Sequence, residues 1–133
     1  MAQFREYLTA KLHRITVTHA EKDYVGSVAI DAFFMERAGI RENEKVEVVN
    51  ITTGTRWTTY AIPAHRGSRT MSLNGGGARL GAVSDKLVVM TFAISDAPLL
   101  PKILFFDDTN EIIGEKTEEA HGMLHPDLIG TPR

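Results

Sequence analysis

Short runs of β-branched and aromatic residues recur along this chain, and each is cut off within a few positions by Gly, Pro, Asn or Asp. That punctuation leaves no room for long helices and confines the chain to a set of short strands. Residues 11–18 (Lys-Leu-His-Arg-Ile-Thr-Val-Thr) read as a strand that puts Lys11 and His13 on one face. Residues 24–30 read as a second, and 45–51 as a third that turns through 52–55 into a return strand at 56–62, stopped by Pro63. A short strand at 70–73, a long buried one at 86–94 and two more at 103–106 and 111–113 follow. Asp31 caps a short helix over 32–38 that Gly39 closes, with Phe33, Phe34 and Met35 as core bulk. A chain of 133 residues has material for one domain and one core. The pattern predicts a small, mainly β barrel.

Composition narrows the function classes. With 43% hydrophobic and 24% charged residues the chain is of globular type, and a net charge of −2 gives no general pull toward nucleic acid or anionic membrane. No interleaving of aromatic and basic residues marks a nucleic-acid binder. Without cysteine there is no disulfide or thiolate chemistry, which fits a cytoplasmic protein. The N-terminus carries early charges of both signs and no signal-like apolar core, and residues 87–94 are too few to span a bilayer as a helix. The expectation is a soluble, unexported protein without a membrane partner. His121 and His125 have helical metal-ligand spacing, but Gly122 and Pro126 make a helix poor there, so no metal is expected. Apolar periodicity fades from Glu115 onward, and about 115–133 is expected to be a loosely attached tail.

Chemistry concentrates at Tyr24-Val25-Gly26-Ser27. In a Gly-Ser pair the serine hydroxyl can close a five-membered ring onto the preceding carbonyl, and glycine tolerates the backbone this needs. The peptide becomes an ester, and elimination followed by hydrolysis leaves a chain that begins with a pyruvoyl group. Gly67-Ser68 is a second such pair, so the dipeptide alone decides nothing, and a surface turn is the simple reading. On the return strand Arg56, Thr58, Tyr60 and Ile62 share one face, and Trp57, Thr59 and Ala61 the other. Asn74 precedes Gly75-Gly76-Gly77, whose backbone N–H groups suit an anion or a carbonyl but match no P-loop or dinucleotide pattern. Two readings stay open from the residues: a catalytic barrel, or a non-catalytic one holding an anion through Arg56, Arg66, Arg69 and the glycine loop.

The collinear motifs Lys11-Leu12-His13-Arg14, Thr18-His19-Ala20, Tyr24-Val25-Gly26-Ser27, Ile30-Asp31, Ala38-Gly39-Ile40, Asn43-Glu44, Thr59-Tyr60-Ala61-Ile62, Arg66-Gly67-Ser68 and Asn74-Gly75 favour the first. Over residues 8 to 113 the chain resembles the pyruvoyl-dependent aspartate 1-decarboxylases. The resemblance implies a six-stranded double-psi β-barrel with short helices, assembled as a homotetramer with sites between subunits. It implies self-cleavage between Gly26 and Ser27 into chains 1–26 and 27–133, in which Tyr24 and Thr59 take part and which a maturation factor could assist. Ser27 would become the pyruvoyl cofactor, which takes L-aspartate as a Schiff base and yields β-alanine and CO2 for pantothenate and coenzyme A, without pyridoxal phosphate. Tyr60 would be the proton donor, and Thr59, Gly75, Gly76, Gly77, Lys11, Arg56 and Asn74 would bind substrate. Asp23 stands where the family often has His, and Gly76-Gly77 where Ala-Ala is usual. Glutamate as substrate, or a chain that never processes, are the neighbouring possibilities. Because Thr59 and Tyr60 face opposite ways, one site can use both only if the strand twists or the site lies between subunits.

Overall fold

The computed structural model describes residues 1–117 and contains ten strands in two sheets, with one short α-helix. The spine is β1 (Arg5–Thr16), parallel to β9 (Lys102–Phe106) and antiparallel to β8 (Lys86–Ser95). Beyond β8 lie β4 (Lys45–Asn50) and then β5 (Arg56–Tyr60) at the open edge, while β10 (Ile112–Lys116) flanks β9 at the other. The second sheet has the order β2 (His19–Glu21), β7 (Met71–Asn74), β3 (Ala29–Asp31), β6 (Ile62–Ala64). Parallel pairs between strands far apart in the chain, closed around a single apolar cluster, agree with the double-psi β-barrel class expected.

Side-chain alternation sorts the large sheet into two faces. Ala10 and Leu12 of β1 are buried in the core with Val46, Val48, Leu87 and Val89, so Lys11 and His13 lie on the outer face. A bulge at Arg14, which adopts φ 65°, resets the alternation so that Ile15 is again inside. β1 starts well before residue 11, because residues 5–8 pair with 92–95 as an extension of the sheet. Consequently β8 is buried only through its first half. Leu87, Val88 and Val89 are interior, whereas Phe92 is 40% and Ile94 71% exposed, so the burial expected along 86–94 does not extend to its end.

Two other expectations are corrected. Residues 24–30 do not form one strand: Gly26 takes φ 96°, which no strand accommodates, and pairing begins only at Ala29. Pro63 does not stop the return strand. β5 ends at Tyr60, and Pro63 lies inside β6, an edge strand where its missing N–H removes no central ladder bond. At the C-terminal end, β10 runs to Lys116, and Glu115 pairs with Arg37. The rest of that expected tail, with His121 and His125, lies outside the described residues.

The helix α1 (Ala32–Ala38) follows its expected limits, capped by Asp31 and closed by Gly39 in the left-handed conformation. Asp31 does more than cap. It is buried, and its carboxylate accepts from the backbone N–H of Phe33 at 2.8 Å, Gly67 at 3.0 Å and Arg69 at 2.7 Å. The loop that holds the Gly67-Ser68 pair is thereby tied to the start of the helix.

Candidate active site

β5 leaves the large sheet at Tyr60, and the chain crosses to the small sheet at once, Ile62 N–H donating to the Val28 carbonyl at 2.9 Å. That crossing brings the loop 24–27 against the end of the open-edge strand. The contacts then separate by face. Tyr60, opposite Lys45 on the outer side, puts its Oη 3.8 Å from where a side chain on Gly26 would begin. Ile62 Cδ1 lies only 2.8 Å from the same point, so a side chain there would displace the end of Ile62, and it is the positive φ that calls for glycine. Trp57 and Thr59 lie opposite Val48 and Val46 on the core side. The Trp57 indole N–H and Ser27 Oγ flank Gly77, at 3.6 and 3.5 Å from the position of an added Cβ.

Thr59 and Tyr60 remain on opposite faces of the strand, as alternation predicts. An edge strand is open along one side, so a loop crossing its end meets residues from both. Tyr60 Oη lies near Gly26 from the outer face, and the Trp57 indole lies near Gly77 from the inner one, within a single chain. The glycine loop closes the group: Gly75, at φ 61°, lies 3.5 Å from the Tyr24 carbonyl measured from its would-be Cβ. Gly75–Arg79 forms a short 3₁₀ helix. Asn74 is buried at its start and accepts from Ser72 Oγ at 2.7 Å. With Tyr24, Ile62 and His65 it lines an open hollow of about 460 Å³.

The two Gly-Ser pairs differ in their partners. Both glycines have positive φ, 96° at Gly26 and 86° at Gly67. Ser68 Oγ bonds the His65 carbonyl and Thr70 Oγ1, and its hydroxyl is fully committed. No hydrogen bond to Ser27 Oγ is formed among the described residues.

Lys11 and Arg56 lie on the outer face of the large sheet. Register aligns Lys11, Met90, Glu47 and Thr58 in one row across four strands. Burial lowers the Lys11 pKa from its ordinary value. Arg56 is paired with Glu47. The other two arginines of the anion-binding reading are also engaged elsewhere, Arg66 with Glu36 at 2.6 Å and Arg69 with Glu111 at 3.6 Å, so the three form no common site. Among the described residues no cluster of three or more His, Asp or Glu side chains is disposed to hold a metal.

A family model for aspartate decarboxylase matches residues 3–113. The chain belongs to the aspartate decarboxylase family. It is similar to the aspartate 1-decarboxylase of Caldicellulosiruptor saccharolyticus, at 48% identity over 87% of this chain and 94% of the relative. The enzyme of that name from Carboxydothermus hydrogenoformans is 43% identical over 90% and 97% of the two chains. That from Phenylobacterium zucineum is 48% identical over 79% and 92%. Among solved structures, a rationally designed protein aligns with 58% of this chain and 90% of its own at 16% identity and a TM-score of 0.43. An aspartate decarboxylase needs an acid to protonate carbon and a cation for the surviving carboxylate, and Tyr60 and Arg56 are of those types. Sequence reasoning missed Trp57 as a neighbour of Gly77 and Ile62 as a neighbour of Gly26, since both read as packing residues. The only pointer was that Trp57 shares its strand face with Thr59.

Proposed function

We propose that this aspartate decarboxylase matures by cutting its own chain between Gly26 and Ser27, leaving chains 1–26 and 27–133, and that residue 27 becomes a pyruvoyl group. The observation that carries this reading is the uncommitted Ser27 Oγ beside a glycine at φ 96°, set against the fully bonded Ser68 of the twin pair. A hydroxyl with no protein partner among the described residues is free to turn onto the Gly26 carbonyl, and Gly26 presents no side chain to obstruct it. The cradle also suits the product: Gly77 leaves the approach to residue 27 open, and Gly75–Gly77 offer backbone N–H groups.

In the mature enzyme, the pyruvoyl carbonyl supplies the electron sink that decarboxylation of an amino acid requires. The chain's own residues do the rest. Tyr60 gives a proton to the substrate Cα from its place beside Gly26. Arg56 exchanges Glu47 for the carboxylate that remains, a match of guanidinium and carboxylate geometry. Lys11, Thr59, Asn74 and the backbone of Gly75, Gly76 and Gly77 complete the aspartate site. The product is β-alanine, for pantothenate and coenzyme A synthesis in the cytoplasm. Lys11, Arg56 and Tyr60 all lie on the outer face of the large sheet, where Arg56 and Tyr60 are exposed. That arrangement supports a homotetramer in which a neighbouring copy closes the site.

Intact mass under denaturing conditions tests the reading directly. The wild type is expected as two species divided between Gly26 and Ser27, the larger with a pyruvoyl terminus, and Ser27→Ala as one uncleaved, inactive chain. Normal turnover by Ser27→Ala would refute the mechanism. Sedimentation equilibrium of the cleaved protein is expected to report four copies, and incubation of purified precursor alone shows whether a maturation factor is needed.

A further inference from the structure

Arg56 does not face its ion-pair partner squarely across the sheet. Register sets Val49 directly opposite it, and Glu47 one row further along, opposite Thr58. Alternation keeps Lys45, Glu47 and Val49 of β4 on the same outer face as Arg56, Thr58 and Tyr60. The Arg56–Glu47 pair is therefore diagonal, and it lies on the side of Arg56 that leads to Thr58 and Tyr60. A carboxylate of the protein thus already sits against this guanidinium, on the side toward the proton donor, where the carboxylate of bound aspartate would have to be.

Two features make that contact replaceable. It is open to water, with Arg56 60% and Glu47 36% exposed, and an exposed ion pair is favoured only about two- to fivefold over its separated state. Glu47 also has a second cation to turn to. Lys45 lies two positions back on the same face and forms no ion pair among the described residues. Residues so spaced on a strand are about 7 Å apart, within reach of two long side chains. Lys45 and Glu47 line one hollow of about 280 Å³ with Glu6, Thr58 and Phe92, which gives a displaced Glu47 room to swing.

We propose that Glu47 is a positioning residue that acts as a built-in competitor: its carboxylate holds the Arg56 guanidinium in place, and aspartate binds by displacing it toward Lys45. Only the fraction of molecules with Arg56 released can accept the substrate carboxylate, so the apparent affinity for aspartate is reduced by that fraction. Glu47 thereby sets KM without taking part in the chemistry. The proposal rests on the reading of Arg56 as the cation for the substrate carboxylate.

Glu47→Gln keeps the length and shape of the side chain and removes its charge. In fully processed enzyme, checked by intact mass, it is expected to lower KM for aspartate about two- to fivefold at wild-type kcat, because the contact is broken before chemistry begins. Arg56→Gln is expected to raise KM. Adding Glu47→Gln to that variant should leave KM where Arg56→Gln put it, since the competitor has lost its target. An unchanged or higher KM in Glu47→Gln would overturn the proposal. So would an equal fall in KM with and without Arg56, the mark of a negative charge acting on aspartate at large. A wild-type KM in Arg56→Gln would instead sink the reading of Arg56 on which the proposal rests.

Discussion

Ser27 and Ser68 follow glycines of similar backbone conformation, and the hydrogen bonds around each hydroxyl are what distinguish the pair proposed to cleave from its twin. The Tyr60 hydroxyl stands next to the former, while Arg56 and Lys11 stand on the outer face of the sheet. Tyr60→Phe should therefore still cleave at Gly26-Ser27 yet lose at least about 100-fold in decarboxylation, the range for removing a general acid. Mass spectrometry of the chains and CO2 release from aspartate, measured on one preparation, check both halves. Tyr60 and Arg56 were legible in the sequence, because alternation puts them on one strand face and their chemistry suits an amino acid. Trp57 was not, because alternation assigns it to the core and says nothing about whether its N–H finds a partner.

At the scale of elements, Asp31 joins α1 to the basic loop. Its capping role was visible from its place before an apolar helix, and its bonds to Gly67 and Arg69 were not, since more than thirty residues intervene. Asp31→Ala leaves three backbone donors without their carboxylate. We expect a loss of about 3 kcal/mol of stability, read as a lower denaturant midpoint at unchanged slope. The misread strand at 24–30 has a comparable cause. The β-branched and apolar residues Val25, Val28 and Ile30 satisfy the local pattern, but Gly26 at positive φ breaks the ladder, and only the approach of Ile62 and Tyr60 reveals why the chain bends there.

For the molecule as a whole, His13 couples the barrel to pH. Burial, with added repulsion from Lys11 and Arg14, holds its pKa down from 6.5 to about 4. Its ring packs edge-on to Phe105 at 5.5 Å, and its Nδ1 is buried without a partner among the described residues. Below pH 6.5 the unfolded chain takes up a proton that the folded chain refuses until about pH 4. The contribution of His13 to stability is thus undiminished above pH 6.5 and falls steadily as pH drops through that window. Chemical denaturation at pH 7 and pH 4.5 should show a smaller acid loss for His13→Gln than for wild type. By itself the sequence determined the mainly β class, the helix and its caps, and the residue types of a decarboxylase site, because these follow from periodicity and local chemistry. Only the tertiary structure decided that β5 is an open edge, that one loop meets both of its faces, and that one of two identical dipeptides keeps its hydroxyl free. Those outcomes depend on which distant strands come to lie side by side, and no local pattern in the chain records that.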